Sequence, residues 1–268
     1  MLLVLFLYPL GTDTLQYEII YNGLQTWSDY IYLEPSFRGL VLFSNYLGLN
    51  LSGFYLLITV LTLLPVLYVT SKSRYQIAFF YYLSVFFFPY MINGIRQSLA
   101  MGLGLIALYM FNKGLKKKAI GFAFVGVSFH YGALIYFMYF LFASISKKLS
   151  IVVILFIFCF ISLYGISIFG VGSSSIDFID VLYRFILLFI FSLFVSKNNE
   201  PVLIFYLAGL LIYLALYFDA QLAARVHFYF RIVEVLILLS PLKNIVLSRF
   251  TTIVFIIFSL SLNLLIYV

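Results

Sequence analysis

The sequence predicts an all-α protein, a polytopic bundle of about nine or ten transmembrane helices. Of its 268 residues, 65% are hydrophobic and only 9% are charged, whereas about a quarter of the residues of a soluble domain are charged. The mean hydropathy is +1.15. Apolar runs recur along the chain at the ~17–25-residue length that a bilayer-spanning helix requires.

The predicted spans follow one another with short polar connections, and we expect residues 1–268 to form a single integral-membrane domain. The pair of spans around 118–146 is the least regular, because each half is short and His130 falls between them. The approximate ranges are 53–70, 76–90, 95–112, 118–130, 131–146, 150–169, 181–196, 201–218, 222–240 and 246–267.

Lysine is confined to one side of this arrangement. Positive charge in short loops is typical of the cytoplasmic face, so we assign that side to the cytoplasm. Arg74 and Arg249 lie on the same side. The lysines are Lys72, Lys113, Lys116, Lys117, Lys118, Lys147, Lys148, Lys197 and Lys243.

The opposite side carries most of the acidic residues and has arginine as its only cation. Two polar stretches, 11–38 and 170–180, lie there, and the first is too long to be a simple turn. A functional site is therefore expected on this outer face. Its acidic residues are Asp13, Glu18, Asp29, Glu34, Asp177, Asp180 and Asp219, and its arginines are Arg38, Arg96, Arg184, Arg225 and, deeper in a span, Arg231.

Composition and motifs exclude several function classes. The net charge of +7 comes from loops between spans, so it does not indicate nucleic-acid binding. The single cysteine, Cys159, lies in an apolar run and suggests neither a disulfide nor a metal cluster. Phosphate-binding glycine loops, HExxH and GxSxG are missing, and two histidines far apart in sequence make a metal centre unexpected. We expect no cofactor.

Arg96 lies where a predicted span enters from the outer side. On a helix Asn93, Arg96 and Gln97 share one face, and they would form a donor-rich patch near a helix N-terminus. Guanidinium groups and helix N-termini both favour phosphate oxygens, although an interfacial arginine can also reach to lipid headgroups. Gly94, Ser98 and Gly102, at every fourth position of the same segment, are typical of close helix packing.

His130 stands at the predicted outer end of a short span, within Ser128-Phe129-His130-Tyr131-Gly132. A neutral imidazole can accept or donate a proton near pH 7. A lone histidine is as often a hydrogen-bonded core residue, so the sequence leaves both interpretations open.

Arg225, His227 and Arg231 occur within seven residues of a predicted span, where charge is costly enough to indicate function. Glu234 lies three residues beyond Arg231 on the same helical face, so Arg231 can be structural or functional. Arg225 has no such local partner in the sequence and is the better candidate for binding an anion. His227 can be a packing residue and is assigned no role.

The outer stretch 11–38 contains Asp13, Glu18 and Glu34, carboxylates that can act as general bases toward sugar hydroxyls. Its aromatic rings can stack on sugar faces. Each carboxylate, taken singly, is more often a helix cap, a turn residue or a solvated charge. Arg38, at the end of this stretch, is a weaker candidate for binding phosphate.

Taken in order, several short segments resemble the EpsG family of polysaccharide polymerases, which is related in role to the Wzy O-antigen polymerases. The resemblance runs from about residue 11 to about residue 232. Family members begin with a full span and an arginine ahead of the first segment, whereas ten residues precede it here, so the chain is either naturally short or starts further upstream. The segments are Gly11-Thr12-Asp13, Tyr17 and Tyr21, Glu34-Pro35-Ser36-Phe37, Ile95-Arg96-Gln97-Ser98-Leu99-Ala100, Phe129-His130-Tyr131-Gly132-Ala133-Leu134, and Arg225 before Tyr229-Phe230.

The resemblance implies a glycosyltransferase of GT-C-like architecture in the bacterial inner membrane. Its substrate would be an oligosaccharide repeat on undecaprenyl diphosphate, for a lipopolysaccharide or a capsule, and a chain-length regulator is a further candidate partner. Arginines would bind the diphosphate, namely Arg96 and Arg225 with Gln97 and Asn93 beside Arg96, and Arg231 and Arg38 as weaker candidates. His130 would be the base or orienting residue, with Asp13, Glu18 and Glu34 as alternatives.

Two other functions fit the same features. An O-antigen ligase would use the same donor chemistry on a different acceptor. A flippase or transporter of lipid-linked oligosaccharide would also need buried arginines, but it should show charged residues accessible from both sides and repeat symmetry. The sequence shows polar residues concentrated on one face and no convincing repeat.

Overall fold

The computed structural model describes residues 13–71, 77–87, 94–169, 176, 178–194, 200–238, 253, 256 and 257. This part of the chain is helical and contains no strand. The helices are α1 Thr14–Gly23, α2 Pro35–Tyr46, α3 Leu51–Thr70, α4 Ile77–Tyr82, α5 Ile95–Asn112, α6 Lys116–Phe129, α7 Ile135–Phe142, α8 Lys147–Phe169, α9 Phe178–Phe194, α10 Glu200–Ala215, α11 Ala220–Arg231 and α12 Val233–Leu238, with a π-helical turn Leu83–Phe87 after α4 and a 3₁₀ turn Tyr131–Leu134 after α6.

The helices form two compact units, residues 1–134 and 135–268. In the first unit, α5 and α6 make a helical hairpin across a tight turn. Gly114 has a φ of +78°, and the N–H of Leu115 donates to the carbonyl of Met110. A glycine in this left-handed conformation ends a helix without steric cost, so the chain reverses within three residues and α6 starts at once.

Helices α3 and α5 pack closely and run parallel. A Cβ at Gly102 would lie 2.7 Å from the backbone oxygen of Thr62, so a larger side chain there would separate the helices. Further along both helices, the rings of Tyr68 and Tyr109 meet edge to face, 6.5 Å apart. The packing role predicted for the small residues is thus confirmed at Gly102.

In the second unit, α10 is the buried central helix and α11 packs against it. A Cβ at Gly209 would collide with the Cβ of Phe230, and the rings of Phe205 and Phe230 are 4.6 Å apart. Close approach at a glycine and aromatic stacking therefore fix α11 on α10, and His227 and Arg231 of α11 are buried in this unit.

Two helices of the described residues are each long and apolar enough to cross a membrane, Leu51–Thr70 and Lys147–Gly165. The second is apolar yet mostly unburied: Phe156 is 71% and Leu163 74% exposed. Such a surface is unfavourable in water and is what contact with lipid tails requires.

The predicted spans and the observed helices agree best at 53–70 and 95–112, which correspond to α3 and α5. The irregular pair 118–146 divides at His130, as expected, because α6 ends at Phe129 and the 3₁₀ turn begins at Tyr131. The run 222–240 is divided between α11 and α12. Most of the last predicted span, 246–267, lies outside the described residues. The number of spans stays a prediction.

Candidate functional site

Three chain segments of the first unit bring Glu34, Arg96 and His130 together. We call these three residues the Glu34 cluster. Glu34 directly precedes α2, whose first residue is Pro35. Proline suits the first position of a helix and disfavours helical backbone at the residue before it, so Glu34 stays extended. Arg96 lies in the first turn of α5 and His130 directly follows α6.

The Glu34 carboxylate binds both nitrogen-bearing side chains, one with each oxygen. Arg96 Nη1 lies 2.6 Å from Glu34 Oε2, and His130 Nδ1 lies 2.8 Å from Glu34 Oε1. The carboxylate side chain is only 4% exposed, whereas that of Arg96 is 23% and that of His130 is 30% exposed. The cluster is therefore anchored on a buried anion and open at its two nitrogen-bearing groups.

The electrostatics keep Glu34 ionised. Burial alone would raise the pKa of its carboxyl, but the hydrogen bond from His130 and the charge of Arg96 outweigh burial and hold the pKa at about 2. A carboxylate with so low a pKa is a poor proton acceptor at neutral pH. Its chemistry here is to hold and orient its two partners.

The hydrogen bond to Glu34 also fixes which nitrogen of His130 carries a proton. An ionised carboxylate can only accept, so Nδ1 must be the donor. In the neutral imidazole the lone pair then resides on Nε2. This is the tautomer in which a carboxylate orients a histidine for general-base catalysis.

Neighbouring residues brace the cluster. Ser36 Oγ donates to Ser128 Oγ at 2.7 Å, which ties α2 to α6 beside His130. The Arg96 guanidinium lies 5.7 Å above the centre of the Phe37 ring. Burial raises the pKa of the nearby Tyr17 hydroxyl, and the charge of Arg96 partly offsets that effect. Tyr17 belongs to the stretch 11–38, but its proximity to Arg96 could not be recognised from the sequence.

The other residues predicted for this part of the site are placed less centrally. Arg38 is buried and turned toward Trp27, with Nη1 donating to the Trp27 carbonyl at 2.7 Å. Gln97 is 5% exposed, Asp13 is half-buried at the start of α1, and Glu18 is exposed. Asn93 lies outside the described residues.

The second unit contains another ionic group, Asp180, Arg184, Tyr213 and His227, which we call the Arg184 cluster. Arg184 is completely buried and binds Asp180 through Nε at 3.1 Å and Nη2 at 3.2 Å. Its Nη1 contacts His227 Nδ1, and the Tyr213 hydroxyl donates to Asp180. Sequence reasoning missed this group, although Asp180 and Arg184 are four residues apart on one helical face, a spacing that allows an ion pair.

The charged residues of α11 and α12 divide into a buried pair and an exposed arginine. Arg231 Nε lies 2.7 Å from Glu234 Oε1, and both side chains are 0% exposed. The Tyr206 hydroxyl also donates to Glu234, at 2.7 Å. The pairing of Arg231 with Glu234 was predicted as the structural alternative. Arg225, on the same helix as His227, is exposed.

Within the described residues, no group of three or more His, Cys, Asp or Glu side chains could hold a metal ion.

The model of one known protein family matches more than half of the chain. Apolar helices and ionic clusters in a helical protein are features of a membrane protein. The model of the EpsG family matches residues 1–183, and the chain therefore belongs to the EpsG family. Curated proteins and solved structures give no match.

Family membership and the apolar helices together indicate a membrane protein of polysaccharide biosynthesis. The matched residues include Glu34, Arg96 and His130, and also Asp180. Arg184, Arg225, His227 and Arg231 lie beyond the match.

Proposed function

We propose that the protein is a polysaccharide polymerase, a glycosyltransferase that joins undecaprenyl-diphosphate-linked oligosaccharide repeats at the periplasmic face of the bacterial inner membrane. The observation that carries the proposal is the Glu34 carboxylate holding Arg96 and His130 together, with both nitrogen-bearing groups partly exposed. An anion-binding group beside an oriented base is what glycosyl transfer from a diphosphate requires. A GT-C-like architecture is part of the proposal.

Each residue of the cluster has one role in the proposed reaction. A hydroxyl of the acceptor repeat attacks the anomeric carbon of the donor glycan, and its proton moves to His130 Nε2. The bond between the anomeric carbon and the diphosphate oxygen breaks, and the lipid diphosphate leaves with the electron pair. Arg96 stabilises the charge of that leaving group. Glu34 positions both residues.

Membrane arrangement supports the same proposal. Arg96 begins α5 and His130 follows the end of α6, so both lie at the end of the hairpin away from Lys113 and Lys116. If the lysine-bearing end is cytoplasmic, as the positive-inside rule predicts, the Glu34 cluster faces the periplasm. A lipid-linked substrate would enter from the bilayer without a soluble cofactor.

The test is deletion of the gene in its host, followed by separation of the surface glycans by size. Complementation uses the wild type, Arg96→Lys and Arg225→Lys, because a point charge cannot replace a planar guanidinium. We expect deletion to reduce a ladder to single repeats and Arg96→Lys not to restore it at normal protein level. Arg225→Lys tests the second diphosphate candidate.

Other outcomes of this experiment identify other functions. An unchanged ladder in the deletion strain would refute the polymerase. Long polymer that stays on its lipid carrier would indicate a ligase. Complete loss of surface repeats, with lipid-linked repeats trapped inside the cell, would indicate a flippase.

A further inference from the structure

Trp27 is the single tryptophan of the chain, and much of its side chain is exposed. The Arg38 guanidinium lies 4.7 Å from the centre of the indole, over one ring face. At the ring edge, a Cβ on Gly39 would lie 3.6 Å from Cζ3, an ordinary contact distance. The residue nevertheless remains 54% exposed, so the exposed area lies away from Arg38 and Gly39.

The segment that carries Trp27 is fixed by its own hydrogen bonds. Asp29 Oδ2 accepts from the backbone N–H of Thr26 at 2.7 Å and of Gln25 at 3.1 Å. Arg38 donates to the Trp27 carbonyl, and Tyr30 adopts a φ of +48°, a conformation that aromatic residues rarely take. The indole is thus preorganised, which lowers the entropy cost of binding against it.

Polar residues flank Trp27 along the chain. Gln25, Thr26 and Ser28 are exposed, and the hydroxyls of Thr26 and Ser28 lie 2.9 Å apart. Hydrogen bonds from the Thr26 and Gln25 backbone lower the pKa of Asp29, so this carboxylate stays charged. Both of these bonds go to Oδ2, and a carboxylate has about four acceptor sites, so Asp29 can also accept a bond from a sugar hydroxyl.

We propose that the exposed face of Trp27 is a stacking platform for a sugar ring of the glycan substrate. The C–H face of a pyranose is apolar and its rim is hydroxylated, so it matches an exposed indole in a segment that also carries the polar residues Gln25, Thr26, Ser28 and Asp29. An interfacial tryptophan that anchors a helix in lipid headgroups is the other common use of an exposed indole. An ionised carboxylate two residues away disfavours burial in the acyl chains.

The platform adjoins the Glu34 cluster through α2. Arg38, which supports the indole, lies one helical turn after Glu34, and its backbone N–H donates to the Glu34 carbonyl at 3.1 Å. A glycan stacked on Trp27 would therefore lie close to Arg96 and His130. The inference rests on the proposed function and assigns a carbohydrate subsite to it.

The experiment uses the single tryptophan as its own reporter. The full-length protein in nanodiscs is titrated with the oligosaccharide repeat released by mild acid from the host's lipid-linked pool, while tryptophan emission is recorded. We expect a saturable change in emission. In a second arm, nanodiscs made with brominated phosphatidylcholine should quench the emission weakly, because the platform does not lie in the acyl chains.

No response to the oligosaccharide would overturn the platform, and strong bromine quenching together with no response would identify a lipid anchor instead. The variant His130→Ala separates the two proposals, since it should give the same emission change but no polymer. If the surface ladder depends on the protein while the emission does not respond, only the platform is wrong. An intact ladder in the deletion strain would refute the polymerase itself.

A matched pair of variants tests the contribution of the platform to activity. Trp27→Leu keeps an apolar residue but removes the ring, and it should shorten the ladder, whereas Trp27→Phe should restore most of it. Tyr46→Leu is the control, because Tyr46 is an 89% exposed aromatic residue of the same unit that the proposal does not place in the platform. Equal effects of Trp27→Leu and Tyr46→Leu would contradict a specific platform.

Discussion

The Glu34 cluster and the Arg184 cluster both combine a carboxylate, an arginine and a histidine, but the two histidines carry their proton on different ring nitrogens. Glu34 accepts from His130 Nδ1, so the lone pair of a neutral His130 resides on Nε2. Arg184 can only donate, so His227 Nδ1 must accept from it and the proton of His227 resides on Nε2. His130 can therefore take up a proton without losing its partner, whereas His227 cannot.

The two clusters also differ in how exposed their side chains are. Arg96 and His130 are partly exposed around a buried carboxylate, whereas Arg184 and His227 are 0% exposed. An arginine and a histidine in an apolar helix do not by themselves indicate a site, since their partners decide whether they can react. We therefore assign chemistry to the first cluster and helix packing to the second.

The largest expected effect is that of His130→Ala, which removes the only proton acceptor assigned to the reaction. General-base catalysis contributes ~10²–10⁴-fold to rates, so polymer formation per molecule should fall by that factor. His227→Ala is the matched control, and it should lower the amount of folded protein rather than the rate per folded molecule. The rate of polymerisation in reconstituted membranes, normalised to folded protein, distinguishes them; a greater loss of rate for His227→Ala would reverse the assignment.

Arg184→Met should reduce the amount of folded protein. It leaves Asp180 without its buried cationic partner, and breaking such a pair costs ~3–5 kcal/mol. The double variant Asp180→Leu with Arg184→Met removes both charges and should recover much of the loss. Thermal unfolding in detergent measures both; a double variant no more stable than the single one would show that the pair is not the cause.

The pH dependence of stability should differ between the wild type and Glu34→Gln. The folded-state pKa of Glu34 is about 2, below its ordinary value of 4.5, so its contribution is complete above pH 4.5 and is lost as the pH falls toward 2. The difference in unfolding temperature between the two proteins should be present at pH 5 and shrink as the pH falls from 4.5 toward 2. A difference that closes by pH 6 would contradict the strong pairing.

The smallest effect is expected for Arg231→Lys. Lysine keeps a positive charge beside Glu234 but loses one of the two guanidinium bonds, at a cost of about 1–2 kcal/mol. Polymer formed per folded molecule should not change. A large loss of polymer at normal protein level would return Arg231 to the candidate substrate-binding residues.

Local patterns in the sequence predicted the helices and some of the pairs, but not the joining of distant segments. The apolar run 95–112 coincides with α5, and the pairing of Arg231 with Glu234 followed from their three-residue separation. Arg96 and His130 could each be proposed from position and residue type. That Glu34 binds both could not, because its contacts span 62 and 96 residues of sequence and depend on how α2, α5 and α6 pack.

The Arg184 cluster was missed for a related reason. Arg184 and Asp180 were recognised only as outer-face charges, although their four-residue separation predicts an ion pair. The contact that defines the state of His227 comes from a helix 43 residues away in sequence. Without it, His227 could not be distinguished from a histidine with a catalytic role.

The most direct test of this account compares Glu34→Gln with Glu234→Gln, since both carboxylates are buried and paired with an arginine. The measurement is polymer length and rate in reconstituted membranes, per folded molecule. The account predicts that Glu34→Gln strongly lowers polymer formation per folded molecule, though by no more than His130→Ala does, because Arg96 and His130 lose their positions, while Glu234→Gln lowers only the amount of folded protein. Normal polymer from Glu34→Gln, or loss of polymer per molecule from Glu234→Gln alone, would contradict it.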